Sequence, residues 1–177
     1  MARRPHEAAA AFTENLGRAI SCVTNAVFDI RGGYHPTPTP HVAALNSGLP
    51  VPLAGAAGLR LSVLLQYHIV QDSGSHGPWI MRTSAYSYTV WDRDEQELLV
   101  YHWHPDGRSA VTVPHLHIGS TALATGSTLV KKHLPTRRIT LDDVVRLVIT
   151  ELDVAPRRQD WAMVLQETAQ VFEVGQT

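Results

Sequence analysis

The segment YHWHPDGRSAVTVPHLHIG (101–119) places four histidines within sixteen positions, as two His-x-His pairs, His102/His104 and His115/His117. Imidazole has an ordinary pKa of about 6.5, so it takes up and gives away protons near neutrality, and its neutral form ligates transition metals. Two chemistries suit such a set. One is general acid–base catalysis, in which one ring takes a proton from an attacking hydroxyl and another protonates the leaving oxygen. The other is metal-assisted catalysis with the same rings as ligands. A third reading is a histidine-bearing hairpin, bonded to backbone and solvent, with no chemistry.

Strand residues two apart point to the same side, so each pair presents both rings together. If PDGR is a tight turn with Asp106-Gly107 at its tip, His104 lies opposite Ser109 and His102 opposite Val111. All four rings then share one face. His115 falls near Leu98, however, roughly 13 Å along the strand from His102. Zn–N bonds are about 2 Å, so this pairing predicts two half-sites rather than one four-histidine site. A carboxylate or a further histidine such as His68 would complete each. A bulge at Pro114 would re-aim His115 and His117. The pattern requires no cofactor and assigns no residue set to a metal; a divalent ion is the second mode of the same residues. The catalytic candidates are therefore His104, His115 and His117, with His102. His35, His41 and His76 fall in presumed loops and His6 at the terminus, where no role is expected.

Substrate contacts are sought nearby. The run KKHLPTRR (131–138) is locally basic, and Lys131, Arg137 and Arg138 are of the type that holds phosphate. Tyr86 and Tyr88 would align with Tyr101 and Trp103 on the next strand. This set is either a base-stacking platform or an aromatic core layer beneath helices, and the second is the blander assignment. No P-loop, dinucleotide-type glycine motif, H-E-x-x-H or G-x-S-x-G is present.

The elements that must carry these residues are read from periodicity. Phe12, Leu16, Ile20, Val23, Val27 and Ile30 recur at helical spacing, predicting a helix over 6–30 stopped by Gly32-Gly33. Residues 34–58 hold five prolines and three glycines and predict a long loop packed over the sheet. From Leu59 the period becomes two. Four strands, 59–71, 80–91, 96–104 and 109–118, joined by short turns, predict an antiparallel meander. Thr140 and Asp143 form a capping-box pattern, with aspartate in place of glutamate, ahead of the apolar face Leu141, Val144, Val145, Val148 and Leu152. Pro156 separates this helix from a last one reaching about 173. The result is one α+β domain over 1–177, with the N-terminal helix and two C-terminal helices packed on one face of the sheet.

Composition agrees with a globular chain: 177 residues, 44% hydrophobic, 18% charged and a net charge of −1. That balance gives no global pull toward nucleic acid or anionic lipid. A lone cysteine, Cys22, excludes an internal disulfide and multi-thiolate zinc sites. No apolar run reaches transmembrane length. No membrane association is expected, and the cytoplasm is the expected compartment.

The stretch 86–118 resembles the TumE-type toxins of bacterial toxin–antitoxin pairs. The residues that carry the likeness are Tyr86, Tyr88, Tyr101, Trp103, His104, Pro114 and His115, with His117 joining after a one-residue slip; LDDVVRLVI (141–149) is similar to the short helix that follows in the family. Leu116 and Ile118 stand where the family usually has further histidines. The resemblance implies a growth-inhibiting protein neutralised by a helix-turn-helix antitoxin. Together these features predict a toxin-like, histidine-dependent ribonuclease or phosphoryl-transfer enzyme acting on RNA, and a homodimer is compatible with it. The alternative is a non-catalytic accessory protein that binds a partner through its sheet face or the 34–58 loop.

Overall fold

The computed structural model describes residues 4–55, 57–72, 78–107, 110–119 and 132–174, with side chains to residue 169 in the last helix. Helix α1 (Pro5–Ile20), strands β1 (Phe28–Arg31), β2 (His41–Leu45), β3 (Val51–Pro52), β4 (Arg60–Gln71), β5 (Trp79–Trp91), β6 (Glu97–Trp103), β7 (His115–Ile118) and β8 (Leu134–Pro135), and helices α2 (Leu141–Thr150) and α3 (Trp161–Val174) follow in order. The strands form one antiparallel sheet in the order β1-β2-β4-β5-β6-β7-β8, with β3 alongside β4. The expected α+β architecture, a meander with one N-terminal and two C-terminal helices, is what the chain adopts.

Alternation sorts the two faces. Leu61, Val63, Leu65, Tyr67 and Ile69 of β4 are buried, and they meet Phe12 and Leu16 of α1 and Val144, Val145 and Val148 of α2 in one core. Phe12 packs its ring 4.9 Å from that of Tyr67. The pairings Leu65↔Tyr86, Val63↔Tyr88, Tyr86↔Trp103 and Tyr88↔Tyr101 extend this layer across β5 and β6. The aromatic set is thus core beneath the helices. The intervening residues Ser62, Leu64, Gln66, Ser87, Thr89, Val100 and His102 line the other face, on which no described helix lies; it is open at Leu64, while Thr89 and Val100 are buried.

Three local expectations are corrected. The first helix stops at Ile20, and Phe28–Arg31 becomes β1, whose alternating exposure pairs Phe28 with Leu45 and Ile30 with Ala43. Of the β-branched residues in that stripe, Val23 and Val27 fall in the connection, and Ile30 is paired in β1, where sheet pairing outweighs its helical spacing. The 34–58 segment contains strands: Ala43, Ala44, Leu45 and Val51 are buried, while Pro40 precedes β2 and Pro52 lies on the two-residue β3, where no ladder donor is needed. Gly32, at φ +105°, permits the turn into β2, because a Cβ there would run into the ring of His41. Finally, the strand predicted at 109–118 begins only at His115, and Val113 is 52% exposed.

The capping box at α2 forms as read. The Thr140 hydroxyl accepts from the Asp143 amide at 3.2 Å, and the Asp143 carboxylate accepts from the Thr140 amide at 2.9 Å. Among the described residues, no helix is long and apolar enough to cross a membrane.

A histidine cluster on the open face of the sheet

The late start of β7 decides the site. The observed register is His102↔His115 and Val100↔His117, four residues away from the pairing a tight PDGR turn would give. Gly107 does close a turn, its amide donating to the His104 carbonyl at 3.0 Å, but the chain does not return to the sheet there. Continued pairing from 109 would have put Pro114, which has no N–H, inside the ladder opposite Leu99. The start of β7 at His115 avoids this. Because the offset is even, the rings keep the predicted face. Because it is four residues, the expected 13 Å gap disappears, and so does the prediction of two separate half-sites.

Ring centroids lie 5.8 Å apart for His102–His104 and His102–His115, 5.6 Å for His104–His115 and 5.0 Å for His115–His117. A fifth ring joins them. Leu116 pairs with Leu134, which sets His133 beside His117 at 4.4 Å and beside His115 at 4.8 Å. His133 sits in the run read only as a basic loop. It precedes the two-residue β8, too short for any alternation to mark, so only the tertiary pairing reveals it. Within the cluster the trios His102/His104/His115 and His115/His117/His133 each bring one potential ligand atom per ring within 4.8 Å of the others. No carboxylate joins either trio among the described residues. His68 belongs to neither: it lies on β4 opposite Arg82.

His115 is the pivot. It is 1% exposed, and its Nδ1 lies 2.8 Å from the Val113 carbonyl. A carbonyl only accepts, so Nδ1 carries the hydrogen and Nε2 keeps the lone pair. That Nε2 is buried and has no hydrogen-bond partner. Such a nitrogen, set among other imidazoles, has its lone pair free for a proton donor or a metal ion. Burial pushes the His102 ring down to about 4, with further lowering from His117, His115, His104 and His133. Burial and then His133, His115 and His104 also lower His117. Desolvation and mutual repulsion both disfavour the charged ring, so these two offer free lone pairs at neutral pH.

A cavity of about 160 Å³ adjoins the first trio, bordered by Leu64, Gln66, Tyr86, His102, Trp103 and His104 among others. Its wall is mostly apolar, with no lysine or arginine in it.

The remaining candidates lie elsewhere. Tyr86 and Tyr88 are 5% and 2% exposed in the core, too buried to offer a ring face for stacking, although Tyr86 reaches the edge of the cavity. The Tyr86 hydroxyl instead accepts from the Ile139 amide at 3.0 Å. Arg137 pairs with Asp143 at 2.7 Å beside the start of α2, and Arg138 lies 3.9 Å over the ring of Trp103. Trp103 alternates with His102 and His104 along β6, so both arginines serve the helix-covered face and do not converge on the imidazoles. Lys131 lies outside the described residues. His41, expected in a loop, is fully buried on β2, its ring stacked 5.3 Å from Tyr67. His35 is exposed, His6 begins α1, and His76 lies outside the described residues.

No protein-family model, curated protein or solved structure matches the chain.

Proposed function

We propose that this chain is a histidine-dependent enzyme that cleaves a phosphodiester, acting on RNA in the manner of a growth-inhibiting toxin. The observation that carries the reading is that His102 and His104 line one cavity on the open face while His115 backs them with a buried, unpartnered nitrogen. The 5.8 Å between the first two rings suits groups that flank a single phosphorus. In direct proton transfer, neutral His102 takes the proton of a ribose 2′-hydroxyl as that oxygen bonds to phosphorus. A second, protonated imidazole gives its proton to the departing 5′-oxygen. The products are a 2′,3′-cyclic phosphate and a free 5′-hydroxyl, with no water consumed. The helix-turn-helix antitoxin implied by the TumE-like stretch is the proposed partner, and the cytoplasm the proposed site of action.

One observation favours the accessory-protein alternative: Arg137 and Arg138 are committed to the far face, leaving the described cavity without a phosphate-binding cation. Induced expression separates the two readings. The wild type is expected to arrest growth and degrade total RNA, and His102→Gln/His104→Gln to do neither. Purified wild type should leave cyclic phosphate ends on a labelled RNA. Equal growth with intact RNA in both strains would remove the enzyme reading.

A further inference from the structure

The geometry points to a mononuclear transition-metal site, with one ion held by His102, His104 and His115 and its open position facing the cavity beside Leu64, Gln66, Ala85 and Ser87. This rests on a different footing from RNA cleavage. It says what the rings hold, whether or not a phosphodiester is the substrate; since a ring that ligates an ion cannot also take a proton, a loaded site would exclude His102 as the general base of direct proton transfer.

Three features carry it. Tetrahedral ligation at Zn–N bonds of about 2.0–2.1 Å puts ligand nitrogens roughly 3.3 Å apart. The trio's ligand atoms lie within 4.8 Å of one another and its rings 5.6–5.8 Å apart, so side-chain rotation suffices to close on an ion. His115 Nε2 is buried and has no partner, while the Val113 carbonyl fixes the hydrogen on Nδ1. A carbonyl that orients a ligating imidazole in this way is the usual support of a metal-bound histidine. Gly107 permits the third ligand's position, since a Cβ there would lie 2.7 Å from His104 Nδ1.

The same tautomer sets the stoichiometry. His115 belongs to both trios, but a ring protonated at Nδ1 has one lone pair, so the two trios cannot both be filled. The first is the resident site because His102 and His104 are half-buried and border the cavity, which leaves room for a water or substrate as fourth ligand. His133 of the second trio is exposed and abuts no described cavity. A donor set of imidazoles alone selects zinc, copper or nickel over magnesium or calcium, which take oxygen ligands.

The test uses full-length, tag-free protein stripped with a chelator and titrated with zinc by calorimetry against a competing chelator, with cobalt(II) absorption as a second readout. The expected results are one ion per chain and the visible bands of tetrahedral cobalt. His104→Gln should weaken binding by about a hundredfold or more, as should His115→Gln, while His133→Gln should change it by less than about threefold. Circular dichroism on each variant separates lost ligation from lost folding. Two ions per chain, no saturable uptake, or a loss with His133→Gln but not with His104→Gln would overturn the site. RNA cleavage is measured in parallel. Zinc uptake without cleavage overturns the proposed function and leaves the metal site standing. Cleavage that survives chelation, by protein that takes up no ion, does the reverse.

Discussion

Leu64 and Leu65 are neighbours on β4, yet the first is 40% exposed and the second 1%. The same contrast runs across the sheet: Trp103 packs into the core beneath the helices while His102 and His104, on either side of it, look the other way. One face is organised by apolar burial and tolerates no ambiguity, since a slip by one residue would drive every leucine into water. The open face is organised by register. A slip by four residues leaves its composition unchanged but moves His115 from beside Leu98 to beside His102. Hydrophobic pattern therefore specifies which side the histidines occupy, and the point at which β7 begins specifies whether they meet.

Paired substitutions on β4 test the contrast most strongly. Leu65→Ala should cost about 2–5 kcal/mol in urea unfolding, through lost burial and the cavity left behind. Leu64→Ala should cost less than about 1 kcal/mol. Comparable losses at the two positions would mean that something covers the open face as fully as the helices cover the other.

The two faces also predict opposite responses to pH. Asp142, 3% exposed between α2 and α3, accepts a hydrogen bond from the Thr168 hydroxyl at one oxygen, while the other has no partner. Burial pushes this carboxyl up to about 6. Between pH 3.8 and 6 the folded chain holds a proton that the unfolded chain has released, so this contribution is full in acid and fades as pH rises through 6. Asp142→Asn should flatten that fall, by roughly 1–3 kcal/mol at pH 7.5 relative to pH 4. For His102, pushed down to about 4, the unfolded chain binds the proton first. Its contribution is full above 6.5 and is lost as pH drops toward 4. His102→Gln should make metal-free protein less sensitive to acid, by a smaller amount because the ring is partly exposed. Thermal unfolding between pH 4 and 8 reads both slopes; equal slopes in the variants and wild type would refute the assignment of either group.

The smallest effect is expected at Arg137, 69% exposed in its pair with Asp143. Arg137→Ala should lower stability by less than about 1 kcal/mol and leave zinc affinity within experimental error. A marked loss of affinity would place that guanidinium near the imidazoles after all.

How much of this was legible beforehand follows from the same division. The alternation of residues 59–71 and the Thr140–Asp143 cap are local signals backed by burial, and both appear as read. Phe28–Arg31 carried helical spacing and strand-type residues at once, and only its partner, His41–Leu45, decides between them. That partner was hidden among prolines that lie just outside the strand. At the site, the side that His102, His104, His115 and His117 occupy was legible from period two, but their convergence was not, because Pro114 acts by forbidding a pairing rather than by specifying one. His133 carried no local signal, since the strand that follows it, β8, exists only as the neighbour of β7.

The last described strand, β8, is two residues long and one of them is Pro135. Such a margin presents almost no run of free amides to a neighbouring molecule, and proline interrupts what there is. Among the described residues, this margin therefore gives a second copy little to pair with on the histidine-bearing side. Strand addition is left to the four-residue β1 at the other edge, away from the imidazoles, which stay open to small solutes instead of being sealed within a continuous β-structure.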